Sequence, residues 1–298
     1  MKVAIIGAGA VGSVIGGLLS GDYLVTLVGR KEHVHEVTKN GLIIEGENAG
    51  TYWPVATTST KKLPVQDAVI ITVKAYDLEQ AVKDSLRLIG PSTTVVIVQN
   101  GLWVLKGPLR ASFARPVIAV ASLGATLLGP GRVRLTGKGW FEVGSLEGRL
   151  SRATLAAQLL RSAGFEVKVT DDIVASVWRK ALINAAINPV TALLMEPNGS
   201  ILENPDHLAL SKALFNEGLD VAVCLNVLTK KMVSFEDVID VIRSTARNRS
   251  SMLQDLENKR RTEIDAINGA ICDLAPRPEM VRINSRMVKI VKALETWE

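Results

Sequence analysis

The sequence predicts an α/β domain followed by an all-helical domain, and three observations carry that reading. Short apolar runs of strand length alternate with helical stretches through the first half of the chain. A glycine-rich turn, GAGAVG, separates the first run from the first helical stretch. After Thr170 strand-like alternation gives way to helical periodicity punctuated by prolines. A length of 298 residues suits two separate cores.

The elements follow in order. VAII over 3–6 is continuously apolar, as a strand buried on both faces must be. The glycine turn leads into a helix over 13–19, and 23–28 reads as the second strand. Further strands are expected over 68–73, 95–99 and 117–121, with a helix over 78–89. Such alternation implies a mainly parallel sheet with right-handed crossovers. Residues 133–135 and 141–143, flanked by Gly131, Gly137, Gly139 and Gly144, predict a hairpin at one edge of the sheet. A helix over 151–162 and a strand over 165–169 close the unit. The boundary is therefore placed at 168, giving domains 1–168 and 169–298. The second is read as a helical bundle reaching Trp297, broken at Pro189, Pro197, Pro205, Pro276 and Pro278.

Composition narrows the function. The chain is 47% hydrophobic and only 4% aromatic, which fits a globular α/β enzyme. A net charge of +5 is mild, and the lysines and arginines are scattered rather than striped. That argues against nucleic acid and for an anionic small molecule. Cys224 and Cys272 stand in apolar contexts and are read as buried, reduced thiols. His33, His35 and His207 show no metal-ligand spacing and are assigned to the surface, so no metal is expected. The apolar stretch over 3–19 contains five glycines and runs into a strand, unlike a signal peptide. No other run approaches a membrane span, and a cytoplasmic protein is expected.

Gly7, Gly9 and Gly12, with Ala8, Ala10 and Val11 between them, fit the dinucleotide-binding fingerprint. The first glycine permits the tight turn, the second lets the backbone approach a pyrophosphate, and the third packs the helix on the strand. The second strand ends Val28-Gly29-Arg30-Lys31, with no carboxylate before Glu32. An acid there would grip a ribose hydroxyl, whereas Arg30 suits a 2′-phosphate, so NADP(H) is preferred with NAD(H) as the alternative. The plainer reading of Arg30 is a solvated loop charge. Lys74 and Asn100 close two buried strands at the end where such sheets bind ligands, although each also suits an ordinary turn cap.

WRKALINAAINP carries polar residues at every fourth position: Lys180, Asn184 and Asn188. At about 100° per residue they drift only about 40° per step, so one ammonium and two carboxamides share a helix face. Every other position from Ala181 to Ile187 is apolar, so the helix is embedded. Embedded polar groups without partners are costly, and the simplest partner is a polar ligand. Pro189 removes the backbone bond to the Ala185 carbonyl and is expected to bend the helix just past the stripe. Later, SMLQ from Ser251 and TEID from Thr262 both resemble capping boxes, which requires a helix break across 255–261. One unbroken helix would set Ser251 and Glu263 about 120° apart and about 18 Å along its axis. The plainer reading makes Ser251 an N-cap and Glu263 a first-turn charge.

Taken together, GAGAVG, TVKAYD, QNGL, WRKALINAAINPVTAL and SSMLQDLENKRRTEIDAING resemble ketopantoate reductases, or 2-dehydropantoate 2-reductases. The resemblance runs from residue 3 to about residue 270, and the last three motifs are the specific ones. It implies a Rossmann-type domain joined to a helical domain like the C-terminal domain of 6-phosphogluconate dehydrogenase. It further implies NADPH-dependent reduction of 2-dehydropantoate to pantoate, on the way to pantothenate and coenzyme A. By the same resemblance Lys180 is the general acid and Glu263 binds the substrate hydroxyl and orients the lysine. Asn184, Asn188 and Ser251 then bind substrate, Asn100 lies near nicotinamide and substrate, and Lys74 lies near the cofactor. Arg30 stands in the place associated with NADPH choice. Two departures are Trp103, where many relatives have a small residue, and Arg134, where a histidine is common.

The expected protein is therefore a cytoplasmic NADPH-dependent 2-dehydropantoate reductase, with a homodimer supported by its apolar helical half. Two rivals stand beside it. One is a reductase of another branched 2-oxo acid on the same scaffold. The other is a non-catalytic NADP(H)-sensing module, which would not need Lys180, Glu263 and both asparagines.

Overall fold

A computed structural model describes residues 1–105, 116–147 and 150–296. The chain divides into two compact units, Met1–Gln99 with Val104–Ile173, and Asn100–Trp103 with Val174–Glu298. Residue 168, the expected boundary, lies within the last strand of the first unit.

The first unit is built on one ten-stranded sheet. In chain order its strands are β1 (Lys2–Ile6), β2 (Leu24–Val28), β3 (Leu42–Gly46), β4 (Gly50–Tyr52) and β5 (Val55–Thr57). These are followed by β6 (Ala68–Ile71), β7 (Thr94–Val98), β8 (Val117–Gly129), β9 (Arg132–Ser145) and β10 (Glu166–Val169). The order across the sheet is β4-β3-β9-β8-β7-β6-β1-β2-β5, with β10 alongside β9. From β5 through β8 every pairing is parallel. The run AVII of β6 and TVVIV of β7 are buried along their whole length, which is why they carry no polar alternation. Helices α1 (Ala10–Leu19), α2 (Lys31–Asn40), α3 (Leu78–Ser85) and α4 (Leu150–Ser162) complete the unit.

Two expectations about this sheet need correcting. Residues 133–135 and 141–143 are not the arms of a hairpin but parts of one strand, β9. Its antiparallel partner is β8, and the turn between them holds Gly131 at φ +69°. The pair lies inside the sheet rather than at its edge. The glycines that imitated a turn accommodate irregularities in the ladder: a Cβ on Gly139, at φ +54°, would collide with the Ser122 carbonyl. The second correction concerns β3, β4 and β5, which the pattern did not reveal. β4 and β5 have three residues each and little buried surface, so neither develops a readable period.

The second unit is helical: α5 (Ile173–Leu194), α6 (Ser200–Glu203), α7 (Pro205–Cys224), α8 (Phe235–Ser244), α9 (Ser251–Glu257), α10 (Ala270–Leu274) and α11 (Arg282–Leu294). A π-helical turn, Asp265–Gly269, leads into α10. Trp297, the expected end of the bundle, falls outside the described residues. Pro205 opens α7, and Asn204 caps it by accepting the Asp206 N–H. Pro189 does not break α5, which continues through it to Leu194.

The cysteines and one histidine differ from expectation. Cys224 is exposed, at the last position of α7. Cys272 is half-buried, and burial, aided by Glu217 and Asp273, pushes its thiol up to about 11. His33 is buried, not superficial. Its Nδ1 accepts the Gly131 N–H at 3.1 Å, which leaves Nε2 to donate to Ser13 Oγ at 3.0 Å. Burial holds its pKa below the ordinary histidine value. Among the described residues no helix is long and apolar enough to cross a membrane, and no His, Cys, Asp and Glu cluster is arranged to hold a metal.

Candidate functional site

In the first unit the glycine turn joins β1 to α1. Gly7, at φ +105°, turns the chain so that its own N–H and that of Ala8 both reach the Val28 carbonyl at 3.0 Å. A Cβ on Gly12 would lie 2.3 Å from the Gly7 carbonyl oxygen and 2.4 Å from Thr72 Oγ1. That glycine is therefore needed for the close seat of α1 on the strands. Gly9 differs: a Cβ there meets nothing within 4 Å. Its lack of a side chain keeps space open in front of a helix N-terminus whose N–H groups, at Ala10 and Val11, have no intrahelical acceptor. Such a terminus suits phosphate oxygens.

Arg30 is exposed and is the N-cap residue of α2, two positions past the end of β2. A neighbouring open cavity of about 560 Å³ is lined by Lys31, His35, Thr58 and Pro130 among others, and Arg30 is not part of its wall. Lys74 is half-buried and opens the 3-10 turn Ala75–Asp77. Arg134 has an ordinary structural explanation, since it shares Glu45 of β3 with Arg132.

In the second unit the polar stripe lies on α5. Asn184 and Asn188 are 8% and 6% exposed, yet among the described residues neither carboxamide has a hydrogen-bond partner. Lys180 keeps part of its side-chain surface, but its ammonium is desolvated and without a partner among the described residues. That desolvation alone holds its pKa below the ordinary lysine value. Three adjacent polar groups are thus held on a rigid helix with their hydrogen-bonding capacity unspent.

Glu263 is buried and accepts a hydrogen bond from Asn100 Nδ2 at 3.3 Å. The two segments are also tied through their backbones, with the Leu102 N–H donating to the Ala266 carbonyl at 2.8 Å. Gly101, at φ +80°, makes that approach feasible, because a Cβ there would lie 2.3 Å from the same carbonyl oxygen. Asn100, placed by sequence at the end of a strand, belongs with the helical unit.

The chain breaks between α9 and the π turn, so Ser251 and Glu263 both precede or begin helical turns. The capping residue is Ser250, however, not Ser251. Ser250 Oγ accepts the Leu253 N–H at 3.1 Å and the Thr191 hydroxyl proton at 2.7 Å. Ser251 is left as the first residue of α9, exposed and not needed for the cap. Thr262 likewise forms no capping box. Its N–H and hydroxyl both donate to Glu295, and its Oγ1 accepts the Ile264 N–H.

Two contacts missed at the sequence level bind these pieces to α5. Thr191, one turn past Asn188, holds Ser250 and so places the α9 N-terminus beside the end of the stripe. On another side, Asn268 Nδ2 donates to the Ala185 carbonyl at 3.1 Å. That carbonyl is the acceptor Pro189 cannot serve, and left unpaired in this buried position it would cost about 1–3 kcal/mol. The helix accordingly continues past Pro189 with an outside donor on the freed carbonyl. The signal was present in Pro189 itself, which announces an orphaned carbonyl four residues earlier.

A row of one ammonium and two carboxamides, with a carboxylate on a segment bonded to the same helix, can bind an anionic, hydroxylated carbonyl compound and protonate its oxygen. The family model for ketopantoate reductase PanE/ApbA matches residues 3–148, and the model for the C-terminal part of the same family matches 172–295. The 2-dehydropantoate 2-reductase of Archaeoglobus fulgidus is 35% identical over 99% of this chain and 98% of its own length. That of Pyrococcus horikoshii is 34% identical with the same coverage. Among solved structures, a PanE/ApbA family ketopantoate reductase from Ralstonia eutropha JMP134 superposes with a TM-score of 0.88 at 27% identity, covering 99% of this chain and 98% of its own. D-mandelate dehydrogenase with NADH and anilino(oxo)acetate gives 0.87 at 28% identity with equal coverage. Both units carry the matching features, and this chain belongs to the ketopantoate reductase family.

Proposed function

We propose that this chain reduces 2-dehydropantoate to (R)-pantoate with NADPH, taking the proton from Lys180. The observation that supports this most is the row of Lys180, Asn184 and Asn188, buried or desolvated and unpartnered among the described residues. In this reading residues 1–168 bind the cofactor and 169–298 bind the substrate and perform the proton transfer. The reduced nicotinamide, when bound, supplies the hydride to the ketone carbon.

The residues then divide the work. Gly7, Ala8, Gly9, Ala10, Val11 and Gly12 receive the pyrophosphate, supported by the open approach at Gly9. Arg30 pairs with the 2′-phosphate, supported by its exposure and by the absence of a carboxylate before Glu32. Lys74 and Asn100 serve the cofactor side, and Asn100 also reaches substrate. Asn184, Asn188 and Ser251 donate to the substrate's carboxylate and hydroxyl, while Glu263 accepts from the hydroxyl. As negative charge develops on the ketone oxygen, the Lys180 ammonium stabilises it and transfers a proton to it. A depressed pKa makes that ammonium a better acid than an exposed lysine. The assembly is proposed as a cytoplasmic homodimer, to be tested by light scattering on the purified chain.

NADPH oxidation followed with 2-dehydropantoate tests the reading. The wild type turns over, and Lys180→Ala binds NADPH normally but loses about 10²–10⁴ in kcat, the usual contribution of a positioned acid. Near-normal kcat in the variant would remove Lys180 from the chemistry.

The D-mandelate dehydrogenase neighbour favours a second reading, an NADH-using reductase of another 2-oxo acid. Comparing kcat/KM for 2-dehydropantoate and 2-oxoisovalerate separates the two, because the latter lacks the hydroxyl assigned to Glu263.

A further inference from the structure

We propose that Asn268 is a positioning residue that holds the Glu263 segment in register with the Lys180 helix, through the α5 carbonyl that Pro189 leaves free. The inference rests on the roles given above to Lys180 and Glu263.

The geometry is over-determined. Asn268 is fully buried in the π turn Asp265–Gly269, five residues after Glu263. One Nδ2 hydrogen goes to the Ala185 carbonyl at 3.1 Å and the other to Asn284 Oδ1 at 2.9 Å. Asn284 is itself clamped: its Nδ2 donates to the Leu214 carbonyl and to Glu217. Glu217 also receives the Ile283 and Asn284 backbone N–H groups at the start of α11. Rotating the Asn268 carboxamide would therefore break both bonds of its Nδ2, the atom that holds it, since its Oδ1 has no partner among the described residues.

Each end of this link leads to a proposed working residue. Ala185 directly follows Asn184 and lies little more than one helical turn beyond Lys180. On the other side, the Glu263 carbonyl accepts the Ala266 and Ile267 N–H groups, so Glu263 starts the turn that carries Asn268. The Gly269 N–H closes the π turn onto the Ile264 carbonyl at 2.9 Å. Such single wide turns recur where a side chain must be re-aimed at a functional position. An alanine in place of Pro189 would let α5 satisfy its own carbonyl and would make the cross-link redundant for stability. With proline there, the only donor shown for Ala185 outside α5 is the one that also fixes Glu263.

A comparison of Asn268→Leu, Pro189→Ala and the double variant tests this. Asn268→Leu lowers both Tm and kcat, the latter about 10–100-fold, as a displacement of around 1 Å between working groups does. The KM for NADPH stays within about twofold, since the glycine turn and Arg30, which are assigned its phosphates, are elsewhere in the chain. In Pro189→Ala with Asn268→Leu the helix recovers its backbone bond and Tm returns toward that of Pro189→Ala, but kcat remains depressed. Should Asn268→Leu fail to fold, the double variant against Pro189→Ala alone decides the matter. Recovery of kcat together with Tm would reduce Asn268 to a purely structural residue and overturn the proposal. Lys180→Ala measured in parallel keeps the two readings apart: if that variant retains kcat, the assigned chemistry fails whatever the Asn268 series shows.

Discussion

Replacing Lys180 by methionine should abolish turnover and make the protein more stable at neutral pH. Methionine keeps the unbranched stem of the side chain and removes the charged terminal atom. The ammonium has no partner among the described residues, and desolvation is the one cause lowering its pKa. Below the folded-state pKa both folded and unfolded chains carry the proton, and the full cost of the desolvated charge is present. As pH rises from there toward 10.5, the ordinary lysine value, the folded protein releases its proton first. The unfolded chain then binds more protons, so wild-type stability rises with pH through that window. Above it both states are neutral and the cost is gone. Each pKa unit of depression is worth about 1.4 kcal/mol, against a loss of about 3–5 kcal/mol of transition-state stabilisation for a missing acid. Thermal melts of both proteins between about pH 6 and pH 11 give the stability difference, and NADPH oxidation gives kcat. The Lys180→Met advantage should be constant at low pH and shrink toward 10.5. A variant that melts at or below the wild type, with a difference independent of pH, would show that the folded protein compensates the charge and would refute the reasoning.

Two further outcomes are expected. Gly9→Ala, where a Cβ meets nothing, should keep Tm within the modest cost of a poorer cap, about 1 kcal/mol, while NADPH affinity falls sharply in fluorescence titration. Gly12→Ala, which presses a Cβ to 2.3 Å from a backbone oxygen, should instead lose about 1–3 kcal/mol of stability, and equal melting of the two variants would contradict the division of roles. Arg30→Ala should raise KM for NADPH and leave that for NADH nearly unchanged; equal changes would take the 2′-phosphate away from Arg30.

Legibility in the sequence followed burial. β1, β6 and β7 are covered on both faces, so their continuous apolar runs announced them and the parallel sheet they imply. β4 and β5 are short and largely uncovered, and their residues carry no comparable constraint. The long β8–β9 pair was misread because Gly139 relieves crowding inside a ladder, and a glycine needed for that looks the same as one needed for a turn. At the candidate site the stripe was readable because four-residue spacing is a local property of one helix. Ser250 was missed in favour of Ser251 since the serines are adjacent, and what distinguishes them is the cap bond from Leu253 and the Thr191 hydroxyl, 59 positions away.

Four buried asparagines make the deeper point about what a polar residue in an apolar helix means. Asn184 and Asn188 on α5 and Asn268 and Asn284 in the C-terminal part are all buried, and burial alone does not rank them. Their hydrogen bonds do. Asn268 and Asn284 spend their donors on Ala185, Leu214, Glu217 and each other, so their N–H groups are consumed by the fold, while Asn268 Oδ1 has no partner among the described residues. The carboxamides of Asn184 and Asn188 have no such use among the described residues, and burying them nearly completely without one would be a standing cost. A cost retained on a rigid helix, one and two turns from a desolvated ammonium, is justified by a ligand that removes it on binding. The same accounting places Pro189 and Asn268 together: the proline creates a need in α5, and the asparagine that meets it comes from the segment bearing Glu263. On the proposed function, the unspent carboxamides beside Lys180 await substrate, and the spent donors of Asn268 and Asn284 hold that helix against its neighbours.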